Sequence, residues 1–172
     1  MVELSEQEEQ RFGGLCQMAF NFARNDDCEN LRVMIEAGLN VNLKTHKGDT
    51  LLMLASYHDS INCAKMLLQK GAFVDERNDR GQTPLAGVCF KGHLEMAKLL
   101  LTFGANPNAN NGLGATPYTF AILFGRQEIA ELLIKYSQVS FFKRIPLTIL
   151  RLIKKLKFRN RSCFAKEMNK IS

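Results

Sequence analysis

The sequence predicts an all-α solenoid made of repeated pairs of short helices, and three observations carry that prediction. Residues recur at a step of 33: Gly48, Gly81 and Gly114; Thr50, Thr83 and Thr116; Gly38, Gly71 and Gly104; Asn42, Asp75 and Asn108; Ala64, Ala97 and Ala130; Leu67, Leu100 and Leu133. A coincidence in six registers marks a repeat architecture, in which each unit is one supersecondary element that cannot bury its apolar face alone. Within the units, apolar residues fall at i, i+1, i+4 and i+5, as in Met96, Ala97, Leu100 and Leu101 and again in Ile129, Ala130, Leu133 and Ile134, which is the helical period. The composition agrees: 46% hydrophobic and 23% charged residues, with 12 Gly and 4 Pro, exclude low-complexity and collagen-like chains. At 172 residues there is room for one domain or a short array with an appendage, and not for a multidomain enzyme.

Each unit reads in the same order. A glycine (Gly48, Gly81, Gly114) allows the positive φ of a tight turn, and the Thr two residues later caps the helix that follows. Pro84 and Pro117 then sit at the first helical position, where the missing N–H costs nothing. First helices are predicted over Leu51 to Tyr57, Pro84 to Phe90 and Pro117 to Leu123. Second helices begin after Gly92 and Gly125, and Gly71 and Gly104 end such helices just past the C-cap.

Charge divides the chain. From Ser137 to Ser172 ten Lys/Arg face the single Glu167, a balance of +9, whereas the first 136 residues carry 13 basic and 16 acidic groups, a balance of −3. The expected organisation is an acidic N-terminal segment (1–12), a repeat domain (13–136, with units at about 13–44, 45–77, 78–110 and 111–136) and a basic extension (137–172). Five cysteines without C-x-x-C spacing, and four glutamates within Met1 to Gln10 where a signal peptide needs basic then apolar residues, point to a reducing, cytoplasmic setting. The most apolar late stretch, Ile145 to Ile153, is interrupted by Arg151 and is shorter than the roughly 20 residues that cross a bilayer.

The residues carry a resemblance. Asn78-Asp79-Arg80-Gly81-Gln82-Thr83-Pro84-Leu85, followed by Gly92-His93, Glu95, Leu99-Leu100 and Gly104-Ala105-Asn106-Pro107-Asn108, resembles an ankyrin repeat over nearly its whole length. Gly114-Ala115-Thr116-Pro117-Tyr118 with Gly125, Glu128-Ile129-Ala130 and Leu132-Leu133 is similar to another, Thr50 to Asp75 to a third, and Ala19 to Asn42 to a degenerate N-terminal cap. The pattern departs at the position that usually holds His after T-P-L, here Met53, Ala86 and Thr119, so the polar brace across the turn is expected to be weakened or absent. Leu51 replaces the usual proline and Asp59 the usual glycine, which predicts a looser loop in that repeat.

No constellation for catalysis stands out. His46, His58 and His93 lack H-E-x-x-H spacing, paired cysteines or a nearby carboxylate cluster, and neither a Walker sequence nor G-x-G-x-x-G occurs; Gly112-Leu113-Gly114 reads as turn chemistry. Cys63 and Cys89 fall at helical positions facing the core or a neighbouring unit, where a thiol behaves as a small hydrophobe. A non-enzyme without metal or cofactor is expected, acting as a monomer.

What the resemblance implies is protein recognition on the concave face, formed by the turn tips and first helices. By register the tips offer Lys44, His46, Lys47 and Asp49, then Arg77, Asp79, Arg80 and Gln82, then Asn110, Leu113 and Ala115; the helices offer Tyr57 and His58, Phe90 and Lys91, Leu123 and Phe124. Aromatic anchors beside cations are the usual material of binding hot spots, so the strip is expected to take an acidic or mixed-charge protein segment; the competing reading is that Phe90 and Phe124 only pack between repeats. Small bacterial ankyrin proteins of similar kind also suggest an accessory or delivery role toward a haem enzyme such as catalase, with His58 or His93 as contacts.

The extension has its own pattern. From Pro146, Ile149, Leu150, Leu152, Ile153 and Leu156 project onto an arc of about 160°, with Arg151, Lys154, Lys155 and Arg159 opposite and Lys157 adding to the charge. Such an amphipathic basic helix can cover the open end of an array, attach peripherally to an anionic membrane surface, or contact nucleic acid phosphates; a base-reading motif is missing, which disfavours the last.

Overall fold

Helix starts follow the threonine punctuation. The computed structural model describes residues 5–112 and 114–144, and side chains over that range apart from 6 and 138–144. Eight helices run in order: α1 (Glu6–Arg24), α2 (Cys28–Glu36), α3 (Leu51–Tyr57), α4 (Ile61–Gln69), α5 (Pro84–Lys91), α6 (Leu94–Thr102), α7 (Pro117–Leu123) and α8 (Gln127–Arg144). Thr50, Thr83 and Thr116 each cap a first helix, accepting from the N–H of Met53 (3.1 Å), Ala86 (3.4 Å) and Thr119 (3.3 Å). The predicted first helices of the three full repeats are present, α5 extending one residue further to Lys91.

No strand forms among the described residues; the turn tips are tight hairpins, one of them closed by an isolated antiparallel bridge between Lys44 and Thr50. Equivalent tip bonds run from Thr45 N–H to Asp49 O (2.9 Å), Asn78 N–H to Gln82 O (3.1 Å) and Asn111 N–H to Ala115 O (2.7 Å). The recurrence of Asn42 and Asp75 also finds its cause: Asn42 Oδ1 accepts from Phe73 N–H (2.9 Å), and 33 residues on Asp75 accepts from Asn106 N–H (3.0 Å), so each unit ties down the loop of the next.

The core is a continuous row along the stack. Leu67, Leu100 and Leu133 are 0, 0 and 1% exposed, and Ala64, Ala97 and Ala130 pack beside them. Each buried leucine contributes roughly 1.5–3 kcal/mol over an exposed one. Residues 6–12, read from the sequence as part of a separate acidic segment, form the first turns of α1, which starts at a capping box between Ser5 and Glu8. The chain forms two compact units, Met1–Tyr136 and Ser137–Ser172, and the repeat stack belongs to the first. No helix among the described residues is long and apolar enough to cross a membrane.

Two sequence expectations about the turns need correction. Asp59 does adopt the left-handed region (φ 61°) that its register reserves for glycine, yet the loop is tied: Ser60 N–H donates to Ala55 O (2.9 Å) and the Ser60 hydroxyl to Arg24 O (2.9 Å), and the Asp59 carboxylate lies 3.7 Å from His93 Nδ1. His93 also approaches the Tyr57 carbonyl at 3.3 Å through Nε2, so it bridges two repeats. The polar brace persists in the last repeat, where Thr116 N–H donates to Thr119 Oγ1 (3.2 Å) in a capping box. In the middle repeat a different residue supplies it. Buried Asn111 accepts from both the N–H (2.8 Å) and the hydroxyl (3.0 Å) of Thr83 in the preceding unit.

Candidate functional site

The first helices of successive units lie side by side, which brings their C-terminal aromatics into one row. Tyr57 and Phe90 stack with centroids 6.3 Å apart and planes 9° from parallel, and Phe90 meets Phe124 edge-on at 4.5 Å. Contact between repeats does not hide these rings: Tyr57, Phe90 and Phe124 keep 39, 37 and 40% of their surface exposed. The rings thus pack on one another and still present a face. Leu123, the residue in strict register with Tyr57 and Phe90, stays outside the row at 72% exposure, and Phe124 at the helix C-cap takes its place.

The row borders a groove of about 540 Å³ whose lining includes Met53, Leu54, Pro84, Gly87 and Phe120. Gly87 leaves the space in its floor; a Cβ there would stand 3.5 Å from Tyr57 Cδ2, so anything larger than alanine projects toward the ring. Lys91 Nζ sits 4.7 Å from the Tyr57 ring centroid, a cation–π contact that orients the ring. His58 lies edge-on to Tyr57, and its pKa is lowered first by partial burial and then by the charges of Arg24, Lys91 and His93.

The tips divide into engaged and unengaged cations. Lys44 is ion-paired with Glu76 (2.7 Å), and Arg77 donates to the carbonyls of Asn110 and Gly81, so both serve to join adjacent tips. Asp49 accepts from Asn78 Nδ2 (2.8 Å), and the Asp79 amide is bonded to the Lys47 carbonyl (3.2 Å). Lys47, Arg80 and His46 are exposed, Gln82 lines the groove, and Asn110 and Ala115 lie at the third tip; Leu113 and the extension residues Arg151, Lys154, Lys155, Lys157 and Arg159 lie outside the described residues.

Arg24 was absent from the sequence-derived strip, yet it lines the groove. Its signal was available, because stepping back 33 from Tyr57 lands on it. The floor residues Met53, Leu54 and Phe120 carried no comparable signal, as apolar side chains in a first helix read as core. Among the described residues no group of three or more His, Cys, Asp or Glu is placed to hold a metal. Cys63 and Cys89 are fully buried; desolvation pushes the Cys89 thiol up to about 12 and raises that of Cys63 as well, the reverse of what a nucleophile needs.

Comparison with known proteins gives two findings. A family model described as ankyrin repeats (3 copies) matches residues 9–78 and 74–143, well over half of the chain. A Pseudomonas aeruginosa protein described as an ankyrin repeat protein is 43% identical over 47 residues, which is 27% of this chain and 28% of that relative. The match thus spans little more than a quarter of the relative's own length.

Proposed function

The chain belongs to the ankyrin repeat family, whose members are in general protein-interaction modules, and we propose that it is a non-catalytic binder of a protein segment in the groove beside Tyr57, Phe90 and Phe124. One observation carries this reading: three rings from three successive repeats form a continuous, partly exposed face along a groove with a glycine-opened floor. An aromatic face of that kind gives large contact area at low conformational cost, because each ring is already held by its neighbours. Charged and polar groups at the tips set the orientation of the bound segment. The cysteines support a reducing, cytoplasmic setting, with Cys63 and Cys89 kept as buried thiols.

The test uses the floor. Gly87 lies inside α5 at an ordinary helical φ, so Gly87→Leu improves helix propensity by up to about 1 kcal/mol while filling the groove. The expected result is an unchanged or raised Tm together with loss of the proteins captured from native cells by the wild-type chain. Tyr57→Ala with Phe90→Ala should lose the same set. Capture that is unaltered by both substitutions, with both proteins folded, rules the groove out.

A further inference from the structure

The groove has a neighbour. At the N-terminal end of the stack a second recess of about 250 Å³ is lined by residues of α1 and the first two turn tips. Three permanent cations line that recess, Arg24 from the last turn of α1, Lys47 from the first tip and Arg80 from the second, with His46 beside them. Arg24, Arg80 and Asp49 line both cavities, so the two adjoin.

These cations differ from the others nearby. Lys44, Lys70 and Lys98 each hold a glutamate at 2.6–2.8 Å, whereas among the described residues no ion pair involves Arg24, Lys47 or Arg80. Among the described residues the Arg24 guanidinium donates to the amide oxygen of Asn21 (3.1 Å) and meets no carboxylate in an ion pair. The single carboxylate in the lining, Asp49, is already bonded to Asn78, and Asp79 lies on the second tip outside both linings.

We propose that the groove takes a protein segment of one polarity, with a large apolar residue against Tyr57 and Phe90 and a cluster of aspartate or glutamate side chains in the Arg24–Lys47–Arg80 recess. This rests on the groove being the binding site, and it adds which end of the segment is acidic. Two arginines and a lysine from three separate elements can each meet a carboxylate, and guanidinium groups do so in a bidentate geometry. Charge complementarity also sets register, because reversing the segment would lay carboxylates on the apolar floor.

The experiment displays random dodecapeptides to the full-length protein and measures the selected peptides by fluorescence anisotropy. The expected consensus has an aromatic or large aliphatic residue with two or more acidic residues on one constant side. Lys47→Glu with Arg80→Glu, two exposed side chains without ion-pair partners, should weaken that peptide at least tenfold, and a version with lysines in place of the acids should bind the double variant better than wild type. A consensus without acidic bias, or a loss under twofold in the double variant, overturns the acidic recess; if Gly87→Leu still abolishes binding, the groove reading survives it. Binding only of a phosphoserine version likewise overturns the carboxylate assignment. Peptides insensitive to Gly87→Leu and to the charge reversals overturn both readings, as does a selection that yields no consensus.

Discussion

At the scale of single residues, glycines at positive φ serve two different needs. Gly48 adopts φ 74°, and a Cβ there would come 2.8 Å from the backbone nitrogen of Asp79, an atom held in place by its bond to the Lys47 carbonyl. Gly71 adopts φ 90° in open space. Gly71→Ala should therefore cost only the left-handed penalty, about 1–2 kcal/mol, while Gly48→Ala adds a backbone clash and should cost distinctly more. Urea denaturation of the two variants separates them, and equal losses would show that the tips yield. His58 makes the second residue-scale prediction. Its pKa is lowered in the native state by burial and by Arg24, Lys91 and His93, so the native protein binds fewer protons than the unfolded chain. Stability should rise with pH from that lowered value up to about 6.5, the ordinary histidine range, and should fall on acidification through the same window. His58→Gln is expected to reduce the Tm difference between pH 7 and pH 5; a wild-type slope unchanged by the substitution sinks the assignment. The sequence showed which residues repeat but not their environment. Asp26 and Asp59 stand one step apart, both at positive φ, yet Asp26 caps α4 through Cys63 N–H (2.8 Å) whereas Asp59 faces His93.

At the scale of elements, helix starts were legible because threonine, proline and glycine act locally, through capping, a fixed φ and a permitted positive φ. The extent of α1 was not, since residues 6–12 are acidic and lack a core stripe; the capping box at Ser5 and Glu8, an S-x-x-E pattern, was the available sign. Braces between elements were the least legible, because they join residues about 30 positions apart. Asn111 is the clearest case. It is 6% exposed, it serves two donors of Thr83, and its own Nδ2 donates to the Ala109 carbonyl (2.8 Å). Asn111→Ala leaves a buried backbone N–H unpaired, which costs about 1–3 kcal/mol. The expected outcome is a drop in denaturant midpoint with unchanged slope, and faster amide exchange at Thr83. A midpoint within error of wild type would mean that water replaces the amide.

At the scale of the stack, a repeat array has nearest-neighbour energetics, so its stability is distributed according to how much each unit buries against the next. The distribution is uneven here. α3 has six buried residues, Leu51 to Ser56, and α5 has five, while α7 has only Pro117 and Ala121. The register explains the decline: Leu52 and Leu85 are 1 and 0% exposed, but the next residue in that series is Tyr118 at 39%, and Ile122 stands at 55%. An element with so few buried side chains opens without disturbing the rest, because what it breaks is one interface rather than a shared core. Amides of α7 should therefore exchange at least tenfold faster than those of α3 and α5, a difference of about 1.4 kcal/mol in opening free energy. Hydrogen exchange read by mass spectrometry resolves the three segments, and uniform protection across them would show the array to open as one cooperative unit. The gradient also bears on recognition, since Phe124 at the C-cap of α7 is the outermost ring of the row. A segment bound across Tyr57, Phe90 and Phe124 spans three units and must protect α7 more than α3, because it adds an interface where the stack has least of its own. That excess protection in α7 on binding separates a ligand seated along the whole row from one that touches only the recess at Arg24.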